Sequence, residues 1–197
     1  MFKFLEQSTL QVSGKDAFSF LQGQLTCDMR EVTTENHYAA LCNNKGRVIA
    51  SLEIRKDNNN FLLTSPKDMI SIVFKTLEKY AQFSDVILQE INLNLPAKNL
   101  LLSIQQKTAV ILPNISELFT PHELNYQNLN FISFNKGCYR GQEIVARMQY
   151  LGKLKKQLCY LKLESLTHLD KNIDIVNMVK LNENHYELLV VMTTPLQ

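Results

Sequence analysis

Asn135-Lys136-Gly137-Cys138-Tyr139-Arg140-Gly141-Gln142-Glu143-Ile144-Val145-Ala146-Arg147 is the stretch on which the reading of this chain turns. The apolar run before it, Phe131-Ile132-Ser133-Phe134, reads as a buried strand. Gly137 lets the chain turn, and Gln142 to Met148 can be helical, so Cys138 is expected near a helix N-terminus. A thiol there, flanked by Lys136 and Arg140, should titrate low, because the helix dipole and the cations favour thiolate. Gly137 and Gly141 would admit a ligand or a neighbouring strand close to the backbone. Glu143 and Arg147 have the spacing to pair on one helix face. A plainer reading stands beside this one. Free cysteine commonly ends as a small buried hydrophobe, and Lys136 and Arg140 would then mark a solvated turn. No histidine is placed beside Cys138 by the sequence, so a Cys–His hydrolase is weakly supported.

Upstream, short strands and helices alternate. Leu10 and Val12 alternate with Thr9 and Gln11 as in a half-buried strand, and Ser13 to Asp16 turns the chain into a short helix through Ala17, Phe18, Phe20 and Leu21. His37 to Cys42 and Val48 to Ile54 read as strands joined by the turn Asn43-Asn44-Lys45-Gly46-Arg47. A further strand, Phe61 to Thr64, leads into a helix near Ser65-Pro66. Its apolar residues Met69, Ile70, Val73, Phe74, Leu77 and Tyr80 follow helical spacing, as a core-packing stripe does. Val86 to Ile91 reads as a strand, Asn92 to Pro113 as a polar stretch with short apolar runs. Leu158 to Leu163, Ile173 to Val179 and Tyr186 to Met192 read as strands of a small β appendage. Such alternation with hairpin turns predicts an α+β fold with mostly antiparallel sheets.

Composition narrows the function. The chain has 197 residues, 45% of them hydrophobic and 20% charged, enough for a sizeable core. Its net charge of +2 is small for a protein held to RNA by phosphate contacts. No apolar run reaches the length of a membrane span, and residues 1–7 do not read as a signal peptide. The four cysteines, Cys27, Cys42, Cys138 and Cys159, are widely spaced without zinc-ligand spacing. A cytoplasmic protein with reduced thiols and no bound metal is expected.

Lys136-Gly137-Cys138-Tyr139-Arg140-Gly141-Gln142-Glu143 resembles the Lys-Gly-Cys-aromatic-x-Gly-Gln-Glu motif of the YgfZ branch of the glycine-cleavage T-protein family. Its flanks match as well: Phe119-Thr120-Pro121-His122-Glu123-Leu124-Asn125 before it, Ile144-Val145-Ala146-Arg147 and Leu151-Gly152-Lys153-Leu154-Lys155-Lys156 after it. So do Ser13 to Ala17, Phe20-Leu21-Gln22-Gly23-Gln24-Leu25-Thr26-Cys27-Asp28, and the turn Asn44-Lys45-Gly46-Arg47.

The resemblance implies a T-protein-like folate-binding fold, with the ferredoxin-like element reduced and a small C-terminal β-barrel-like appendage. Residues 1–150 would form the shortened folate-binding domain and residues 151–197 the appendage. It implies an accessory protein supporting iron–sulfur enzymes or their assembly machinery, with tRNA modification affected indirectly. Cys138 would be its functional thiol, and Lys136, Gly137, Tyr139, Arg140, Gly141, Gln142, Glu143 and Arg147 would meet the substrate or partner. Tetrahydrofolate or a derivative is the implied ligand. Three residue readings qualify this. Ala50 and Ser51 stand where the aminomethyltransferase branch places carboxylates, and neither supplies a comparable base. The segment Thr108-Ala109-Val110-Ile111-Leu112-Pro113 lacks the acid that relatives offer the pterin ring, and the chain has no tryptophan to clamp it. The stretch between Glu90 and Pro113 leaves little room for a complete middle domain. Two alternatives remain: a folate-dependent aminomethyltransferase-like enzyme, and a folate-binding scaffold with a structural Cys138.

Overall fold

The computed structural model describes residues 4–193 apart from 153, 168 and 171. Strand β1 (Phe4–Leu5) precedes β2 (Gln7–Ser13), where Leu10 and Val12 are fully buried, as their alternation requires. Gly14 turns the chain at φ +106° into helix α1 (Ala17–Gln24). Asp16 sits at the N-cap of α1, yet its carboxylate accepts from the Asp85 N–H (2.8 Å) instead of capping its own first turn. Strands β3 (His37–Cys42), β4 (Val48–Asp57) and β5 (Asn60–Pro66) follow as hairpins. Helix α2 (Lys67–Ala81) then buries Met69, Ile70, Val73, Leu77 and Ala81.

Strand β6 (Ile87–Ile91) completes an antiparallel sheet of order β3-β4-β5-β2-β6, with α2 lying across it. Strand β7 (Lys98–Asn99) pairs with β1 in a two-stranded ribbon. Helix α3 (Leu100–Gln105) falls inside the stretch read as polar with short apolar runs, where no helix is expected. The Asn99 side chain caps it by accepting from the Leu102 N–H (3.3 Å), and the helix buries Leu100, Leu101 and Ile104. Six residues are too few to display a helical period, which hides this helix from the sequence.

Helix α4 (Gln142–Leu151) leads to strands β8 (Lys156–Leu163), β9 (Asp174–Asn182) and β10 (His185–Thr193), an antiparallel sheet of order β8-β10-β9. This sheet is joined to the rest of the molecule through its interior. Val176, Val179, Leu189 and Val191 belong to the same core cluster as Leu10 and Leu63. The buried Asn177 side chain accepts from Val110 N–H and donates to Val110 C=O, both at 2.8 Å. Buried Glu187 accepts from Gln105 (3.0 Å) and from the Tyr160 hydroxyl (2.8 Å).

Between Gln105 and Gln142 the chain forms no α-helix or strand, an unusual length for a compact fold. It is nevertheless fixed. Val48 exchanges backbone bonds with it, donating to Phe119 C=O and accepting from Glu117 N–H, each 2.8 Å. The Thr26 hydroxyl donates to Phe131 C=O (2.6 Å), and Thr26 C=O accepts from Ser133 N–H (2.9 Å). The strand expected at Phe131 to Phe134 is therefore not one. Phe131 gains its burial by stacking between Tyr38 (centroids 5.1 Å) and Tyr126 (4.2 Å), and no ladder forms beyond Thr26. No helix among the described residues is long and apolar enough to cross a membrane.

Replacing Asn177 with alanine would strand the Val110 N–H and C=O in the interior. We expect a loss of about 2–4 kcal/mol in urea unfolding, from two buried groups left without partners.

Candidate functional site

Three separated sequence blocks meet at one place. The Arg140 N–H donates to Gly23 C=O (3.0 Å), and the Arg140 Nε donates to Cys42 C=O (2.6 Å). The buried Lys136 ammonium donates to Leu25 C=O (2.7 Å) and Cys27 C=O (2.6 Å). Gly141 at φ +81° packs on Gly46 at φ +66°. A Cβ on Gly141 would collide with the Asn43 carbonyl oxygen, and one on Gly46 would lie 2.9 Å from the Ile144 Cβ. Thus the loop before α4, the end of α1 and the β3–β4 turn form one unit. Arg47, from that same turn, donates to Leu118 C=O and lies 3.5 Å from Glu123, tying in the Phe119–Asn125 flank.

The expected site residues take different parts in this unit. Helix α4 begins at Gln142 with Gly141 as its N-cap, so Cys138 lies outside the first turn, on the loop that precedes it. Lys136 and Arg140 do not form a solvated turn either. Both are committed to backbone carbonyls, and the Arg140 guanidinium also lies over Tyr80, 4.9 Å from its ring centre. Tyr80, expected within the core stripe of α2, is partly exposed and meets Arg140 there instead of the core. Tyr139 is buried, its N–H accepted by the Gln142 side chain (3.2 Å), with Lys136 5.1 Å from its ring centre. Gly137, Cys138, Glu143 and Arg147 are exposed, and Glu143 and Arg147 form no ion pair with each other. Lys153, from the block after α4, lies outside the described residues.

Burial separates the four thiols. Burial pushes the Cys27 and Cys42 thiols up to about 12, so both are protonated and shielded at neutral pH. Cys159 is half-buried in β8, and Cys138 is exposed on the loop. Burial also lowers Lys136 to about 8, partly opposed by Cys27 and Asp28. Asp28 escaped notice as a site residue. Its buried carboxylate accepts from the Arg30 Nε (3.0 Å), Arg30 N–H (3.0 Å) and Gln22 (3.2 Å), and these bonds, Arg30's foremost, hold it well below the usual carboxylate range. It anchors the loop whose carbonyls receive Lys136. His122 is likewise buried, with its Nε2 3.0 Å from Gln149 of α4. The quoted blocks contained both residues; nothing in one sequence distinguishes an anchor from a surface acid.

The ligand implied by the resemblance can be tested against the residues present. Ser51 and the segment Thr108-Ala109-Val110 line one cavity of about 20 Å³, together with Phe131 and Tyr38. Room for about one water does not accommodate a pteridine, since small-molecule pockets run to roughly 300–1,000 Å³. The Ser51 hydroxyl is already occupied, accepting from Ile111 N–H (3.1 Å). Tetrahydrofolate does not fit there. Among the described residues no three His, Cys, Asp or Glu side chains cluster as metal ligands.

Two substitutions separate the roles of the glycines. Gly141→Ala should lose more than about 1–2 kcal/mol, from the left-handed backbone and the collision with Asn43. Gly137→Ala, with open space around its Cβ, should stay within about 0.5 kcal/mol of the parent in the same urea titration. For Lys136→Met, two buried carbonyls lose their donor, and a loss of about 2–4 kcal/mol is expected. The pH dependence has a definite sign. Lys136 is lowered from 10.5 to about 8 in the fold, so the unfolded chain binds more protons between those values. The parent should therefore gain stability relative to Lys136→Met as pH rises from about 8 towards 10.5, measured by unfolding at stepped pH.

No family model matches the chain. The tRNA-modifying protein YgfZ of Colwellia psychrerythraea is 29% identical to it, over 78% of this chain and 68% of the relative. The YgfZ protein of an Escherichia coli strain is 26% identical, over 77% and 68%. An uncharacterized protein of Haemophilus influenzae is 30% identical, over 79% and 71%. The Colwellia alignment runs to 221 residues against the 197 of this chain, so that relative carries internal segments this chain lacks. Among solved structures, the glycine cleavage system aminomethyltransferase T of Bartonella henselae superposes with a TM-score of 0.64, over 95% of this chain and 76% of that one. At 12% identity that match shows the fold alone. Motif, sequence relatives and architecture agree: the chain is similar to YgfZ proteins over about three quarters of its length and has the glycine-cleavage T-protein fold.

Proposed function

We propose that this chain is a YgfZ-type accessory protein that acts through Cys138. In this reading it supports the maturation of iron–sulfur enzymes in the cytoplasm, and through them the methylthiolation of tRNA. One observation carries the proposal: Cys138 is an exposed thiol on a loop whose neighbours, Lys136, Tyr139 and Arg140, are tied into the interior. A reactive group gains from such rigid support, because its position is fixed before a partner arrives. The exposed Gly137, Glu143 and Arg147 would meet that partner, while Lys136, Tyr139, Arg140, Gly141 and Gln142 would hold the loop in shape. The name of the relatives favours tRNA modification as the process served. A net charge of +2 favours an indirect effect on tRNA over a phosphate-driven grip.

Aminomethyl transfer is the weaker reading. Ala50 is fully buried and offers no polar group, and the Ser51 hydroxyl is engaged with Ile111. A scaffold with a purely structural Cys138 is disfavoured by the exposure of that thiol.

The test is genetic complementation in a host lacking its own homologue. The parent should restore iron–sulfur-dependent tRNA thiolation, read by mass spectrometry of digested tRNA. Cys138→Ser and Cys138→Ala should each lose most of that rescue while folding normally. Full rescue by both variants would remove the thiol from the mechanism.

A further inference from the structure

We infer that this chain has filled the pterin position of its fold with its own aromatic side chains and works without tetrahydrofolate. The two stretches that the resemblance links to folate chemistry, around Ser51 and around Ala109, do come together in space, lining one cavity. The fold therefore keeps the place. What it does not keep is the room, which is about 20 Å³.

The closure is built, and each part of it can be named. Phe131 lines the cavity and stacks on fully buried Tyr126 at 4.2 Å, with Tyr38 stacked on it at 5.1 Å. The Tyr126 hydroxyl donates to Ala109 C=O (2.8 Å), tying the aromatic column to the segment a pterin would have to touch. Asn177 clamps the next residue, Val110, through both its backbone groups. Ile111 N–H is taken by Ser51 (3.1 Å), which joins the two walls directly. Ala109 C=O, both backbone groups of Val110 and Ile111 N–H, which could read a heterocycle's edge, are thus spent on the protein itself.

The charged groups at the cavity are spent as well. Glu53 lines it and is the carboxylate nearest in kind to a pterin-reading acid, yet it accepts from the Lys98 ammonium at 2.6 Å. Admitting a ligand would mean unstacking Phe131, freeing Ala109 and Val110, and separating Glu53 from Lys98. A binding site that must dismantle its own walls loses affinity by the whole of that cost.

The closed cavity is independent of Cys138, which is not among the residues that line it. The full-length protein is titrated with 5-formyltetrahydrofolate, a stable reduced folate, in a calorimeter. No saturable heat is expected at ligand concentrations up to about 1 mM, the limit of weak specific binding. The Cys138→Ser protein should give the same result, so failure of the thiol reading leaves this one standing. Saturable one-to-one binding in the micromolar range, at this cavity or any other, would overturn it.

Discussion

A lysine ammonium turned inward and seated on two backbone carbonyls is what the candidate site depends on. Leu25 and Cys27 lie where α1 gives way to the buried turn before β3, and their carbonyl oxygens have no strand partner to satisfy them. Lys136 supplies the donors, and burial in turn makes its charge expensive. The bonds outweigh that cost only while the surroundings stay rigid, which the Asp28–Arg30–Gln22 network ensures on one side and the Arg140–Cys42 bond on the other. The exposed thiol between them owes its fixed place to groups pointing away from it.

The same logic governs the long irregular segment from Gln105 to Gln142. Regular structure would have satisfied its backbone by ladder or helix; here single donors and acceptors are borrowed from Val48, Thr26, Ser51 and Asn177. This leaves the segment shaped by side chains from all over the fold. It also explains how a chain lacking internal segments of its relatives still closes its core: the aromatic column of Tyr38, Phe131 and Tyr126 fills the space between the sheet and the segment.

Most of the sheet was legible because its rules are local. Alternation placed β2, and turn-forming residues delimited β3 and β4. Helix α2 followed from its apolar stripe. The site was legible as a motif but not as a geometry. Nothing in Lys136-Gly137-Cys138-Tyr139-Arg140 says that Lys136, Tyr139 and Arg140 turn inward while Gly137 and Cys138 face outward, because that depends on carbonyls more than ninety residues away. Helix α3 was too short to show a period, and Phe131 to Phe134 looked like a strand because aromatic stacking and a β ladder demand the same residues. Those misreadings share a cause: tertiary contacts decided the local conformation.

The bond from Lys136 to Leu25 spans 111 positions of sequence, and that of Arg140 to Cys42 spans 98. During synthesis, therefore, those carbonyls have no partner until Lys136 and Arg140 have themselves been made. Contacts of such separation close late and slowly. The thiol loop therefore takes its fixed place only when residues about a hundred positions apart have met, so the setting of Cys138 belongs to the long-range assembly of the fold and not to its sequence neighbours.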